Sequence, residues 1–513
     1  MLKRPPLVVA GTVLGVGLLA GIAPATEAAP GIRHFQEIQS LGTVDFDSTL
    51  AVGAAGDLVV HAGYVGGTLA GQTSAGGRDA FVAGLSYDLH PLWEKQIGGP
   101  GEDAARAVAT DGTRVVVGGI SEGGIGGPAL GGTDGWLMVL ESNGHVVRTS
   151  ALGGANSDGV SDVALADDGY YAAGWIGGQA VVWKFAHDGA LDWSVEVPGN
   201  KAAQIVVQSD QVVVSTVVFW EEGDEGTALV SLDPADGSQN WAGTPSFGGA
   251  TGLATDGTNI FVTRWSIDFD DYRYIGLITA VDPNGTRLWG ARIYEGEGFD
   301  YDAIDVAWDG SAVVVVSNSQ LVAFSPTGAH TWYQGLPGLD PTSVAMGWDG
   351  LYVGGETNDA FDGTRHDGAV AWAPTFQPDA RARYFHNPAL LGDDRYGKRG
   401  QRLLVTVEGT KPRNVIFNPQ NDGEVAQNMT VTGCGSHDGY SIRYYDFDGP
   451  FVEVTEKVTG AGFRTGLLYP EDGRNLRVII KPLRRTTGST TCKVRLISAK
   501  GDRDTITLVI KRP

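Results

Sequence analysis

DAFVAGLSYDLHPLWEKQIGGPGEDAARAVATDGTRVVVGG, residues 79–119, decides the fold, because residues 134–174 repeat its frame as DGWLMVLESNGHVVRTSALGGANSDGVSDVALADDGYYAAG. Both stretches read as strand, turn, strand, Gly-Gly, an acidic residue, strand, an Asp-Gly pair, strand. Further copies begin near Gln179, Thr227, Ile275, Asn318 and Asp367, so successive starts differ by 55, 45, 48, 48, 43 and 49 residues. Each unit holds about four short runs rich in Val, Ile, Ala and aromatics, broken by Asn-Gly or Asp-Gly pairs that favour tight hairpins. Helical repeats of similar length need uninterrupted apolar spacing at i, i+3 and i+4, which these glycine-broken segments lack.

Four antiparallel strands per 40 to 50 residues describe a propeller blade, and seven starts predict seven blades. The seventh unit breaks off after Ala373, and Phe35–Gly63 aligns with the missing part. Residues near 35 to 66 are therefore expected to share a sheet with residues near 368 to 374, closing the ring and hiding its strand edges. All 13 tryptophans lie between Trp93 and Trp372. Trp93, Trp193, Trp241, Trp289 and Trp332 each end the second strand of a unit, with Arg148 in that place in the second copy; this phase reads as structural packing between blades.

After Pro374 the period stops and the charge reverses. Residues 30–374 carry 13 Lys/Arg against 44 Asp/Glu, whereas 375–513 carry 22 against 15, within a chain whose net charge is −23. Runs such as RLLVTV, NVIF, NMTVTG, YSIRYYD, FVEVT, LRVIIKP, CKVRLIS and TITLVIK alternate with polar turns. They predict an antiparallel, immunoglobulin-like β-sandwich over 375–513 behind a propeller over 30–374, an all-β chain. Cys434 and Cys492, the two cysteines of the sequence, are expected to pair as a disulfide in this second domain.

Lys3 and Arg4, an apolar run from Leu7 to Ala23 and the small residues Ala23-Pro24-Ala25 read as a secretory signal cut after residue 25, with retention as an anchor the alternative. Secretion or attachment to the cell envelope follows, with no transmembrane span in the mature chain. An acidic chain with pI near 4.7 repels phosphate backbones, which excludes nucleic acid as a partner.

Signals for chemistry are sparse. The nine histidines fall in no metal-ligand spacing, and no phosphate-binding loop occurs. No catalytic, cofactor-binding or metal residue is assigned. Calcium is the one ion considered, through the acidic stretches 221–226, 268–271, 295–302 and 446–449, whose commoner reading is solvated loop carboxylates.

The frame D-A-F-V-A-x-L, W, G-G, D-x-A, D-G, V-V-V-G-G resembles the SBBP family of bacterial seven-bladed β-propeller repeats, most clearly over residues 79–178. SLDPADGSQNW and AVDPNGTRLW also resemble the tryptophan-docking repeat of quinoprotein-type propellers, although Ser231 stands where Ala is usual. The stretches QPDARAR (377–383), GDDRYG (392–397), GYSIRYYD (439–446) and FRTGLLYP (463–470) resemble a C-terminal β-sandwich module of secreted proteins from high-GC Gram-positive bacteria. These resemblances imply fold and an envelope or extracellular location, with no uniform activity. The functional expectation is a non-catalytic scaffold that binds protein or glycan at the cell surface, its basic sandwich meeting anionic cell-wall polymer. The alternatives are an extracellular hydrolase or lyase with carboxylates near the propeller axis, and a quinoprotein-like envelope-assembly scaffold.

Overall fold

The structure is a computed structural model that describes residues 37–219, 225–243, 246–268, 273–293, 303–310, 312–318, 320–336, 338–347, 350–357, 366–374, 378–384, 401–407, 411–421, 427–448, 451–468, 472–483, 488–498 and 503–511. Through Pro374 these residues build seven antiparallel sheets of four strands, one of which takes an added two-residue strand, Ser246–Phe247. The first sheet runs Asp47–Ala55, Leu58–Val65, Asp79–Ser86 and Pro91–Ile97, each strand pairing with the next. Five further sheets repeat this meander, and the seventh takes Leu339–Met346, Gly350–Thr357, Gly368–Pro374 and, last, Glu37–Leu41.

Contacts between sheets run through their lead strands. Asp47–Ala55 meets Asp103–Thr110, which meets Asp158–Ala166, then Lys201–Val207, Ala250–Thr255, Ala303–Trp308 and Leu339–Met346, which returns to Asp47–Ala55. Every lead strand carries an extra residue at the same place: Leu50, Arg106, Ser161, Ala203, Thr251, Ile304 and Thr342. Such a bulge bends a strand and sharpens its twist. Apolar residues of the middle strands, Val60, Val115, Val117 and Leu140 among them, are wholly buried between neighbouring sheets.

The sequence repeat and the sheet are out of phase, which corrects the expected closure. Only Glu37–Leu41 joins the seventh sheet, pairing Glu37 with Trp372 and Leu41 with Gly368, while residues 47–65 open the first. The cause is local. At Gly42-Thr43 the chain leaves the outer strand, and the Asp47 carboxylate accepts hydrogen bonds from the Thr43 N–H and hydroxyl and from Gly66 N–H. The Gly-Gly pairs work alike: Gly99 N–H donates to Asp103 at 2.7 Å, and Gly154 N–H to Asp158. Each repeat therefore ends one sheet and begins the next.

Beyond Pro374 lie two five-stranded sheets. One orders Pro378–Tyr384, Arg413–Asn421, Leu476–Pro482, Tyr440–Asp446 and Val452–Glu453; the other orders Gln401–Thr406, Arg503–Lys511, Ser489–Ile497, Gln427–Thr432 and Phe463–Leu468. Phe417, Ile442, Tyr444 and Val478 of the first and Val494, Leu496, Ile506 and Leu508 of the second share one apolar cluster. Two features depart from the antiparallel expectation. Gln401–Thr406 runs parallel to Arg503–Lys511, a pairing that only a long crossover allows. FVEVT, expected as a strand, keeps two strand residues and turns into the short helix Thr455–Thr459. Cys434 and Cys492 are bonded across Cα atoms 5.5 Å apart, and the buried Tyr444 hydroxyl donates to the Cys434 carbonyl at 3.1 Å.

Candidate functional site

Tryptophan indoles stitch the seams between sheets. The Nε1–H of Trp93 donates to the Ser142 carbonyl at 2.8 Å, that of Trp193 to Pro234 at 3.2 Å, and those of Trp241 and Trp289 to Pro283 and Pro326 at 2.8 Å. Each acceptor belongs to the hairpin of the following repeat. The ring lies against that hairpin's glycine, so that a Cβ on Gly144 or Gly285 would stand 2.6 or 2.8 Å from ring carbon of Trp93 or Trp241. Both glycines also have positive φ, 81° and 79°, as their tight turns demand. Arg148 lays its side chain against Gly189 in the same way, its Cδ 2.5 Å from the Cβ position. Trp332 packs, partly buried, against the cluster of Val314, Leu321 and Val353.

The lead strands contact one another in a ring, and the residues at and after the bulges reach to the next sheet. Asp162 accepts from Ile205 N–H and Val163 N–H, both at 2.8 Å; Asp305 accepts from Val344 N–H at 2.9 Å and Val306 N–H at 2.8 Å. Gln204 Nε2 donates to Thr251 O at 3.3 Å, and Thr342 Oγ1 to Thr49 O at 2.6 Å. Burial pushes the Asp162 carboxyl up to about 6, against the pull of its two N–H donors. Burial likewise pushes Asp305 up to about 7, with the charge of Asp162 adding to the rise. Raised carboxylates in a cleft are a signature of acid–base sites. Here each oxygen of both groups accepts one backbone N–H, which fixes the carboxylates between neighbouring lead strands and leaves a lone pair on each oxygen.

Two cations complete the surroundings. Arg106, the bulge residue of the second sheet, is open to solvent yet walled by protein, and burial pulls its pKa down. The Lys201 ammonium sits 4.8 Å from the centre of the Trp175 ring. Lys201 is lowered to about 8, by burial first and then by the like charge of Arg106, with Glu225 opposing both. Neither cation closes an ion pair among the described residues. The cationic feature of this region is thus the Lys201 ammonium on the Trp175 face, with the like charge of Arg106 acting on it.

A cavity of about 230 Å³ opens at the closing seam, lined by Gln39, Leu41, His61, Leu69, Trp93 and Glu94 among others. His61 is wholly buried, its Nδ1 3.0 Å from Thr49 Oγ1, and burial holds its pKa down at about 3. The imidazole is therefore neutral at physiological pH.

Of the acidic stretches singled out for calcium, 269–271 and 295–302 lie outside the described residues, as does most of 221–226. Asp446 is held instead by Arg474, through bonds of 3.1 and 2.5 Å, and Asp448 accepts from Asn475 Nδ2 at 2.9 Å. Among the described residues no three carboxylate, imidazole or thiolate groups converge on a metal position. Sequence reasoning missed the axial residues. The signal that marks them is an acidic or amide residue in the middle of an otherwise apolar lead strand, as in DGVSDVALA and AIDVAW.

No family model matches the chain. It is 28% identical over 360 residues to the regulatory protein FlaEY of Caulobacter vibrioides, an alignment covering 62% of this chain and 37% of that protein. The chain thus spans little more than a third of this relative. Among solved structures it is similar to the WD40 domain of Neurospora crassa Pan2, at 11% identity and TM-score 0.44 over 67% of this chain and 98% of that one. It is also similar to the β-propeller domain of the trilobed protease from Pyrococcus furiosus, at 10% identity and TM-score 0.41 over 64% and 93%. The acylaminoacyl peptidase of Pyrococcus horikoshii is similar at 10% identity and TM-score 0.40 over 74% and 59%.

Proposed function

We propose that this chain is a secreted or cell-surface, non-catalytic binding scaffold: a seven-bladed propeller of the SBBP type over residues 30–374, closed by its two ends, followed by an immunoglobulin-like sandwich over 375–513. A leader over residues 1–25 directs export in this reading. The observation that carries it is the state of the axis. Its carboxylates accept backbone N–H groups of the neighbouring sheet, while among the described residues neither Arg106 nor Lys201, the latter against Trp175, closes an ion pair. Those groups suit recognition of a carboxylate-bearing glycan or an acidic protein segment. The basic sandwich meets anionic cell-wall polymer through counterion displacement and holds the acidic propeller outward.

The test is binding of the full chain to acidic polysaccharide and to cell-wall preparations, with R106A/K201A beside it. Loss of about tenfold in affinity, roughly 1.4 kcal/mol, is expected for the glycan arm. Retention on the cell wall should fall steeply as salt rises past about 0.15 M. Undiminished binding by R106A/K201A removes the axial reading. A second reading, hydrolysis or lysis of an extracellular substrate, draws on the raised pKa values of Asp162 and Asp305; turnover that D305N abolishes would establish it in place of the scaffold.

A further inference from the structure

Three successive seams repeat one arrangement of acids around a glycine. The lead-strand aspartates Asp47, Asp103 and Asp158 each donate their backbone N–H to the residue preceding a second aspartate, at His366 O, Arg78 O and Thr133 O, with distances of 2.9, 2.8 and 2.7 Å. Asp367, Asp79 and Asp134 are thereby brought beside them. Between each pair lies a glycine, Gly42, Gly98 or Gly153, whose missing side chain leaves the space. A Cβ on Gly98 would land on Asp79 Oδ1 and lie 3.0 Å from Asp103 Oδ2; one on Gly153 would lie 2.7 Å from Asp158 Oδ2 and 3.1 Å from Asp134 Oδ1. The Gly-Gly pair of the repeat is thus more than a turn.

The pairs are deeply buried, Asp79 and Asp158 at 0% exposure, Asp103 and Asp134 at 2%. Asp79 spends Oδ2 on Ala75 N–H and Gln96 Nε2, at 3.1 and 2.6 Å, and Asp134 spends Oδ2 on Leu130 N–H at 2.7 Å. The Oδ1 of each, aimed at its partner acid, has no hydrogen bond. Among the described residues no cation pairs with them: Arg78, next in sequence to Asp79, pairs with the outward Glu102 at 2.5 Å. Two buried carboxylates facing each other without a counter-charge are costly, a cost met either by protonating one of them or by a bound cation.

We propose that the Asp79–Asp103 and Asp134–Asp158 seams each bind one calcium ion. Calcium takes six to eight oxygens at about 2.3–2.6 Å and accepts backbone carbonyls and water beside carboxylates, so two acids and a glycine loop make a weak, extracellular-grade site. The ion replaces repulsion between neighbouring sheets with attraction. This site is separate from the axial groups and stands or falls independently of the scaffold reading.

Chelator-treated full chain, titrated calorimetrically with CaCl₂, should show two sites with Kd between about 10⁻⁴ and 10⁻³ M, and its thermal midpoint should rise across the same range. MgCl₂ should bind more weakly, because magnesium demands near-ideal octahedral geometry. D79N/D103N should retain one site and D134N the other, so either variant decides the matter if its companion fails to fold. Absence of saturable heat and of any midpoint shift up to about 10 mM CaCl₂ overturns the proposal. So does an unchanged stoichiometry in either folded variant.

Discussion

Gly285→Ala probes the seam between the Trp241 strand and the next hairpin. Two costs arise. The first is conformational: φ is 79°, where an L side chain costs about 1–2 kcal/mol. The second is steric: the new methyl would stand 2.8 Å from Cε3 and Cζ3 of Trp241, a ring that its 2.8 Å hydrogen bond to Pro283 holds in place. Overpacking of that kind adds about 1–3 kcal/mol. Gly257→Ala isolates the first cost, since φ there is 88° and nothing lies within 4 Å of its Cβ position. The expected order is therefore about 1–2 kcal/mol for Gly257→Ala and about 2–5 kcal/mol for Gly285→Ala. In a Trp241→Ala background the steric cost vanishes and the two alanines should cost the same, which makes the coupling a double-mutant-cycle quantity. Urea unfolding followed by circular dichroism and tryptophan fluorescence, with coincident transitions required, measures each step. Equal penalties at Gly257 and Gly285 in the parent, or an undiminished Gly285 penalty without Trp241, would refute the docking argument.

Replacing Cys434 and Cys492 by serine should lower the stability of the C-terminal sheets by about 4 kcal/mol, since the bridge spans 58 residues; a denaturant midpoint unchanged by reduction sinks this estimate. Deleting the chain through Gly42 removes the partner of Gly368–Trp372 and leaves an open strand edge, so light scattering should show self-association, and a clean monomer would contradict it. Asp162 and Asp305, raised from 3.8 to about 6 and about 7, hold protons in the folded state that the unfolded chain releases. Their contribution is full below about 4 and lost as pH rises through about 6 to 7. His61, lowered from 6.5 to about 3, acts oppositely: its contribution is present above about 6.5 and lost as pH falls. D162N/D305N should thus flatten the decline toward neutral pH, and an unchanged pH–stability curve would count against burial of these groups.

The hairpins were readable because Asn-Gly and Asp-Gly pairs are local chemistry: Gly144, Gly189, Gly237 and Gly285 all adopt the positive φ their turns require. The tryptophan phase was readable as well, but the acceptor of each of these four indoles lies in the following repeat, 37 to 49 residues on, where no local signal points. Strand phase misled for a physical reason. A sequence repeat is defined by its most regular junction, the Gly-Gly loop capped by Asp103 or Asp158, and that loop joins two sheets instead of bounding one. The axial carboxylates were not legible because Asp162 and Asp305 are isolated acids flanked by mostly apolar strand residues, unlike the acidic runs in loops. Their role comes from a bulge that aims the chain at a neighbouring backbone, and a bulge leaves no compositional trace.

The clasp of the ring has a mechanical consequence. Glu37 pairs with Trp372 and Leu41 with Gly368, so the chain enters the clasp and leaves it at the same end of the ladder. Tension between a tethered N-terminal side and a loaded C-terminal domain would peel these two strands apart from that end. Hydrogen bonds would break one after another, without sharing the load as sheared strands do. A molecule pulled in this way would open at low force, and the same short ladder could zip shut again once the pull is released.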